Sequence, residues 1–251
     1  MLQIETVLCR AGSMDNYSYI IYTDTNDICA IIDPSESIPI INTLTSLNKT
    51  PKFILNTHHH FDHTDANIEL KQKYDVKIIG NISDAHRIPE FDIGVIPEHY
   101  YRLTSSGINE LATADNNPFT FKVIDVSAHT QGHVLYYFPQ SQIVFTGDTL
   151  FNLCIGGLFE GTPEQMFNAL QKIKKLPDNT LFYPGHEYTA HGAHDAYNYC
   201  NGNHDIQNYL QKAQNRLQKG LPVGPITLKE EQKCNPYLHA QTLNEFIRLF
   251  Q

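Results

Sequence analysis

Thr57-His58-His59-His60-Phe61-Asp62-His63 is the stretch around which the chain is arranged. It follows the apolar run Phe53-Ile54-Leu55, itself preceded by Pro51, which reads as a short buried strand. The segment from Thr64 to Tyr74 has apolar or small residues at helical spacing and predicts a helix. On a strand-to-helix loop a rigid scaffold can aim several side chains at one point. Four imidazoles and a carboxylate within six residues do not suit a solvated turn, because the rings repel when protonated and have nothing to pack against. Neutral imidazole nitrogens and carboxylate oxygens are instead the ligands that borderline divalent ions prefer. In an extended loop, His58 and His60 face one side and His59 the other. Asp62 and His63, beyond a bend at Phe61, can serve a second ion. An affinity tag would be terminal and would lack the flanking strand and helix.

The 251 residues can bury one full core with room for a small second unit. Hydrophobic content of 41% and charged content of 18% are ordinary for a soluble globular protein. A formal charge of −9, with no Lys/Arg cluster, argues against a nucleic-acid surface. No apolar run approaches the ~18–20 residues that span a bilayer, so no membrane partner is expected. Met1-Leu2-Gln3-Ile4-Glu5 lacks the basic start and apolar core of a signal peptide. The five cysteines are odd in number and never spaced as C-x-x-C. Free thiols in a reducing cytosol are expected, and with them a cytoplasmic protein.

Outward from the motif, strand and helix signals alternate. Leu2 to Cys9, Tyr17 to Thr23 and Ile28 to Ile32 read as strands parted by turns at Gly12-Ser13 and Thr25-Asn26-Asp27. A helix is predicted over Ser37 to Leu47 and a strand over Val76 to Ile79; 82–117 carries only weak signals. Strands follow at Phe119–Val126, Val134–Phe138, Ile143–Thr146 and Leu181–Tyr183. A helix over Pro163 to Lys175 has Thr162 as its cap. After Tyr188 no strand is expected, and helical patterns occur near 205–219, 227–233 and 241–250. The expectation is a mixed α/β unit over residues 1–187 and a small helical unit over 188–251.

Two ions need about seven ligands, and three more strand ends offer one each. His129 follows the strand ending at Val126, Asp148 follows Ile143-Val144-Phe145-Thr146-Gly147, and His186 follows Leu181-Phe182-Tyr183-Pro184-Gly185. Any one of them alone reads as a cap or turn residue. Together with the motif they make a consistent set.

At this point the chain resembles a known family. Thr57–His63, Ala-His-Thr-Gln-Gly-His at 128–133, Phe-Thr-Gly-Asp-Thr-Leu-Phe at 145–151 and Gly-His-Glu-Tyr-Thr at 185–189 look like the signature blocks of the metallo-β-lactamase superfamily. The 185–189 block, Leu158-Phe159-Glu160-Gly161-Thr162, Asp15-Asn16-Tyr17 and Asn235-Pro236-Tyr237-Leu238 narrow the resemblance to glyoxalase II, the hydroxyacylglutathione hydrolases. It implies an α/β fold, the αββα sandwich, followed by a C-terminal α-helical domain that binds substrate. It also implies two divalent ions per chain: zinc first, with iron or manganese as alternatives. His58, His60 and His129 would hold one ion and Asp62, His63 and His186 the other. Asp148 would bridge them beside a water or hydroxide, so that Asp62 and Asp148 are catalytic as well as ligating. His59 would be structural, His133 would support the site from behind, and Asp33 would orient a ligand imidazole.

The implied reaction is hydrolysis of an S-(2-hydroxyacyl)glutathione, such as the lactoyl form, in methylglyoxal detoxification by a monomer. A thiolate leaving group, of conjugate-acid pKa about 8.5, departs without a strong general acid. Tyr188 matches a family position that contacts glutathione, and Phe159 and Gly157 are the other candidate substrate contacts. Gly157 stands where the family usually has a basic residue, and His239 where it often has Arg. The family's basic C-terminal tail is replaced by Phe246-Ile247-Arg248-Leu249-Phe250-Gln251. Each lost cation should weaken the grip on anionic glutathione. The rival readings share the fold (a one-iron glutathione persulfide dioxygenase or a lactonase) or abandon catalysis for partner binding. The dioxygenase would not need Asp62, His63 and His186 together, and a non-catalytic member would show a gap in the ligand set.

Overall fold

The computed structural model describes residues 1–25, 28–199 and 204–249, leaving aside the side chains of residues 194 and 195. Cys200 and the turn at Asn26-Asp27 lie outside the described residues. By density of contact the chain forms two compact units, Met1–Asp125 with Gly132–Ser141, and Val126–Gln131 with Gln142–Gln251.

In the first unit, β1 (Gln3–Cys9), β2 (Asn16–Tyr22) and β3 (Cys29–Ile32) pair antiparallel. α1 (Ser37–Leu47) leads to β4 (Phe53–Leu55), which lies parallel to β3. The motif carries α2 (Phe61–Thr64) and α3 (Asn67–Tyr74), and β5 (Lys77–Asn81) and β6 (Ile93–Val95) extend the sheet in parallel. The all-apolar β3 and β4 are covered on both faces, as parallel strands require. On one face Ile20, Ile31, Ile54 and Ile78 pack in a single cluster with Ile40 and Leu44 of α1 and Leu70 of α3. A second antiparallel set runs β7 (Tyr100–Thr104), β8 (Gly107–Leu111), β9 (Thr120–Asp125) and β10 (Val134–Phe138), with β7 between β8 and β9 and β9 paired to β10. β10 reaches the motif directly: Val134 N donates to Thr57 O (2.9 Å) and the Tyr136 hydroxyl to Asn56 O (2.8 Å). Asp33, Thr57 and Asp84 all lie just beyond the carboxyl ends of parallel strands, the usual place for a ligand site in such sheets.

The helix expected over 64–74 starts only at Asn67, and a separate short helix, α2, precedes it from Phe61 to Thr64. A continuous helix would have residues 66 and 67 donate to the carbonyls of Asp62 and His63. Instead Asn16 Nδ2 takes Asp62 O (3.1 Å), Asn56 Nδ2 takes His63 O (3.0 Å), and Ala66 N turns to Pro34 O (3.1 Å). Two asparagines thus interrupt the ladder between α2 and α3.

In the second unit β11 (Ile143–Gly147) runs parallel to β12 (Leu181–Pro184), with Gly147 opposite Pro184. The two-residue β13 (Ile226–Thr227) pairs antiparallel with β12, a strand not expected after Tyr188. α4 (Pro163–Ile173) opens with a full capping box, in which Thr162 and Gln165 each bond the other's backbone amide. α5 (Thr189–Tyr199), α6 (His204–Leu217), α7 (Leu228–Cys234), α8 (Pro236–His239) and α9 (Leu243–Arg248) follow. Ala193, Ala196, Ile206, Tyr209, Ala213 and Cys234, from α5, α6 and α7, form a core with Leu153. Within it Glu231 is fully buried, accepting from Leu153 N (2.6 Å), Asn235 Nδ2 (2.9 Å) and the Tyr209 hydroxyl (3.0 Å). Burial outweighs these bonds and pushes its carboxyl up to about 7. Among the described residues no helix is long and apolar enough to cross a membrane, and Cys9, Cys29, Cys154 and Cys234 are in no disulfide.

Candidate metal centre

The first unit carries His58, His60, Asp62 and His63 on the loop from β4 into α2. His58, Asp62 and His63 are buried and His60 half-buried. The ring of His58 lies 4.8 Å from His60 and 4.3 Å from His63, and it stacks on the buried His133 at 4.6 Å and 17°. His59 points elsewhere, its Nδ1 3.2 Å from the buried Asp84, which also binds Arg87. Burial pushes the Asp84 carboxyl up, but the hydrogen bonds and charges of His59 and Arg87 outweigh it and hold Asp84 below the usual range.

Asp33 is the hub. Its backbone is left-handed (φ 47°), which turns the chain sharply after β3. Its Oδ1 accepts from Thr57 N (2.7 Å), and its Oδ2 accepts from Thr57 Oγ1 (2.6 Å) and stands 3.1 Å from His63 Nδ1. A carboxylate only accepts, so His63 carries its proton on Nδ1. Thr57 spends its one proton on Asp33, so at 3.0 Å it must accept from His58 Nδ1. In the neutral rings this leaves Nε2 of each as the acceptor atom. Both Asp33 oxygens are already engaged by Thr57 and His63, and Asp33 also lies among possible ligands with His58 and His63.

The second unit carries His129, Asp148 and His186. Asp148 follows Gly147 at the end of β11 and His186 follows Gly185 just past β12, and Gly185 N bonds Gly147 O at 2.8 Å, which sets the two side by side. His129 Nδ1 lies 2.7 Å from the carbonyl of Gly157, which puts a proton on Nδ1 and, in the neutral ring, the lone pair on Nε2. Asp148 Oδ2 stands 3.4 Å from His129 Nε2 and 3.3 Å from His186 Nε2. In the first unit Asp62 Oδ2 is 3.5 Å from His63 Nε2.

These distances decide what the donors fit. A charge-assisted N–H···O bond would close to ~2.7–2.9 Å. A lone pair facing a carboxylate oxygen with nothing between them would be repulsive. Two ligand atoms on a tetrahedral ion at ~2.0–2.1 Å from each stand about 3.3 Å apart. The donor set fits a divalent cation on each carboxylate.

The remaining sequence candidates surround these groups. Tyr188 is half-buried and stacks on His186 at 4.6 Å and 13°, with Phe151 edge-on to both rings. Phe159 is 71% exposed and meets the His129 ring edge-on at 5.1 Å. Gly157 contributes its carbonyl to His129. A Cβ on its neighbour Gly156 would sit 1.8 Å from Asp148 O, so that residue must be glycine for the loop to pass Asp148. The clamping roles of Asn16, Asn56, Thr57 and the Gly157 carbonyl were not legible in the sequence, although Asn16 and Thr57 stand in blocks that carry the family resemblance: asparagine, threonine and backbone are common wherever turns are.

Comparison with known proteins agrees in fold and in family. Residues 12–186 match the family described as Metallo-beta-lactamase superfamily, and residues 187–248 match that described as Hydroxyacylglutathione hydrolase C-terminus. A hydroxyacylglutathione hydrolase of Pelagibacter ubique is 40% identical over 99% of this chain and 97% of its own length. Among solved structures, ETHE1 from Myxococcus xanthus superposes with a TM-score of 0.70 at 22% identity, over 98% of this chain and 89% of that one. TTHA1623, solved in a di-iron-bound form, superposes with a TM-score of 0.56 at 26% identity, over 72% and 91%. The fold is that of the metallo-β-lactamases, with a helical C-terminal region. Within that superfamily the chain belongs to the hydroxyacylglutathione hydrolase family.

Proposed function

We propose that the chain hydrolyses S-(2-hydroxyacyl)glutathione thioesters to a 2-hydroxy acid and glutathione, using two divalent ions. His58, His60 and His129 would hold one ion and Asp62, His63 and His186 the other, with Asp148 shared between them. Zinc is the first candidate, with iron or manganese open to the same His/Asp donors. The observation that carries the reading is Asp148 Oδ2, which stands 3.4 and 3.3 Å from two imidazole Nε2 atoms, the separation of atoms that would ligate a common ion. Relatives bearing the hydrolase name over nearly the whole chain support the substrate class.

When bound, such ions supply ionised water at neutral pH and draw charge from a thioester carbonyl. The chain's own residues prepare for this by holding lone pairs in place. Asp33 fixes His63 directly and His58 through Thr57, and the Gly157 carbonyl fixes His129. Tyr188 and Phe159 offer aromatic surface beside His186 and His129 for the thiol carrier. A thiolate then leaves unaided, since its conjugate acid has a pKa of about 8.5. In this reading residues 1–187 carry the chemistry and 188–251 the carrier site, in a cytoplasmic monomer.

The test is turnover of S-lactoylglutathione beside a lactone and a glutathione persulfide, with metal content measured on the same sample. Preference for the thioester with two ions per chain is expected. Faster turnover of the persulfide with one iron would replace this reading by an oxygenase.

A further inference from the structure

Asp62 sits on a helix of four residues with no side-chain cap. Its support comes from β2. Asn16, the first residue of that strand and 1% exposed, donates through Nδ2 to both the carbonyl (3.1 Å) and Oδ2 (2.9 Å) of Asp62. Oδ2 is also the oxygen nearest His63 Nε2. Two residues along, on the same face of the strand, Ser18 Oγ donates to Asp33 O (2.6 Å) and accepts from Ser35 N (3.0 Å). One face of β2 therefore braces both the ligand Asp62 and the orienting Asp33. Asn16 itself is placed by a turn in which the amides of Ser13, Met14 and Asp15 all converge on Arg10 O.

We infer that Asn16 is a positioning residue for Asp62, holding its Oδ2 toward one ion of the pair and setting the affinity for that ion without affecting the other. The inference rests on the two-ion reading above. Its double hydrogen bond does two jobs at once. It diverts the Asp62 carbonyl from the helix ladder, which ends α2, and it fixes the carboxylate rotamer. Loss of such an outer partner typically costs 10–100-fold in metal affinity. An isosteric carboxylate at position 16 could not donate, and would set a second negative charge beside Asp62.

The experiment is stepwise titration of metal-free protein with cobalt(II), followed by visible absorption and by zinc competition with a chelator. Wild type, Asn16→Ala, Asn16→Asp and His63→Ala are compared, with thermal unfolding of each metal-free form. Wild type is expected to take two equivalents. Both Asn16 variants should keep one step and its cobalt spectrum unchanged. Their other step should weaken by about 10–100-fold, and it should be the step that His63→Ala abolishes. Should Asn16→Ala fail to fold, the isosteric Asn16→Asp carries the comparison. Two unaltered steps, or two steps weakened alike, would overturn the role of Asn16 alone. Fewer than two equivalents in wild type would remove the two-ion reading and the inference with it.

Discussion

Asp33 Oδ2 stands 3.1 Å from Nδ1 of His63, and the same oxygen takes the hydroxyl proton of Thr57, which in turn faces Nδ1 of His58. One buried carboxylate thereby sets the tautomer of two imidazoles. Asp33→Asn would offer an amide N–H or a weaker acceptor to the same ring, and is predicted to lower metal affinity by ~10–100-fold with the fold retained. Chelator competition measures it, and unchanged affinity would leave the rings oriented by packing alone.

Removing a proposed ligand should cost the chemistry and leave the fold. His58→Ala and Asp148→Ala are expected to abolish thioester hydrolysis while circular dichroism stays native-like. Normal turnover in purified Asp148→Ala would refute its bridging role.

The grip on glutathione should be weak. Gly157 lacks the cation that the family usually places there, and a Cβ at this position meets only the Phe159 ring, at 3.4 Å. Gly157→Lys should fit and lower the Michaelis constant for S-lactoylglutathione a few-fold, as an exposed ion pair of ~0.2–1 kcal/mol allows, with kcat little changed. A low-micromolar constant in wild type would contradict the premise.

Glu231 makes stability depend on pH. Its carboxyl lies at about 7 in the folded chain against 4.5 in its ordinary state, so between these values the folded state holds a proton that the unfolded state has lost. Its contribution is present in full below pH ~4.5, declines as pH rises toward 7, and is flat above, a change on the order of 3 kcal/mol. Glu231→Gln removes it. Subtracting the variant's denaturant stability from the wild type's across that window should give a difference that grows toward acid, and a flat difference would show the carboxyl to be unperturbed.

Much of this was legible in the sequence because periodicity and ligand chemistry are local. The helix at Ser37–Leu47 and the strands at Phe53–Leu55 and Val134–Phe138 have the bounds their apolar patterns predict. The His/Asp motif stood out because no solvated loop would concentrate imidazoles. What stayed hidden depends on distant partners. The split between α2 and α3 is caused by Asn16, 46 residues from Asp62, and by Asn56. β13 is two residues long and exists only because β12 offers it an edge. Gly157 acts through a carbonyl that every residue possesses.

The most direct measurement is the rate of S-lactoylglutathione hydrolysis by metal-free protein as zinc is added back in known equivalents. Activity should be absent at the start and rise to a plateau at two equivalents per chain. Full activity without metal, or a plateau at one equivalent, would contradict a centre built on two ions bridged by Asp148.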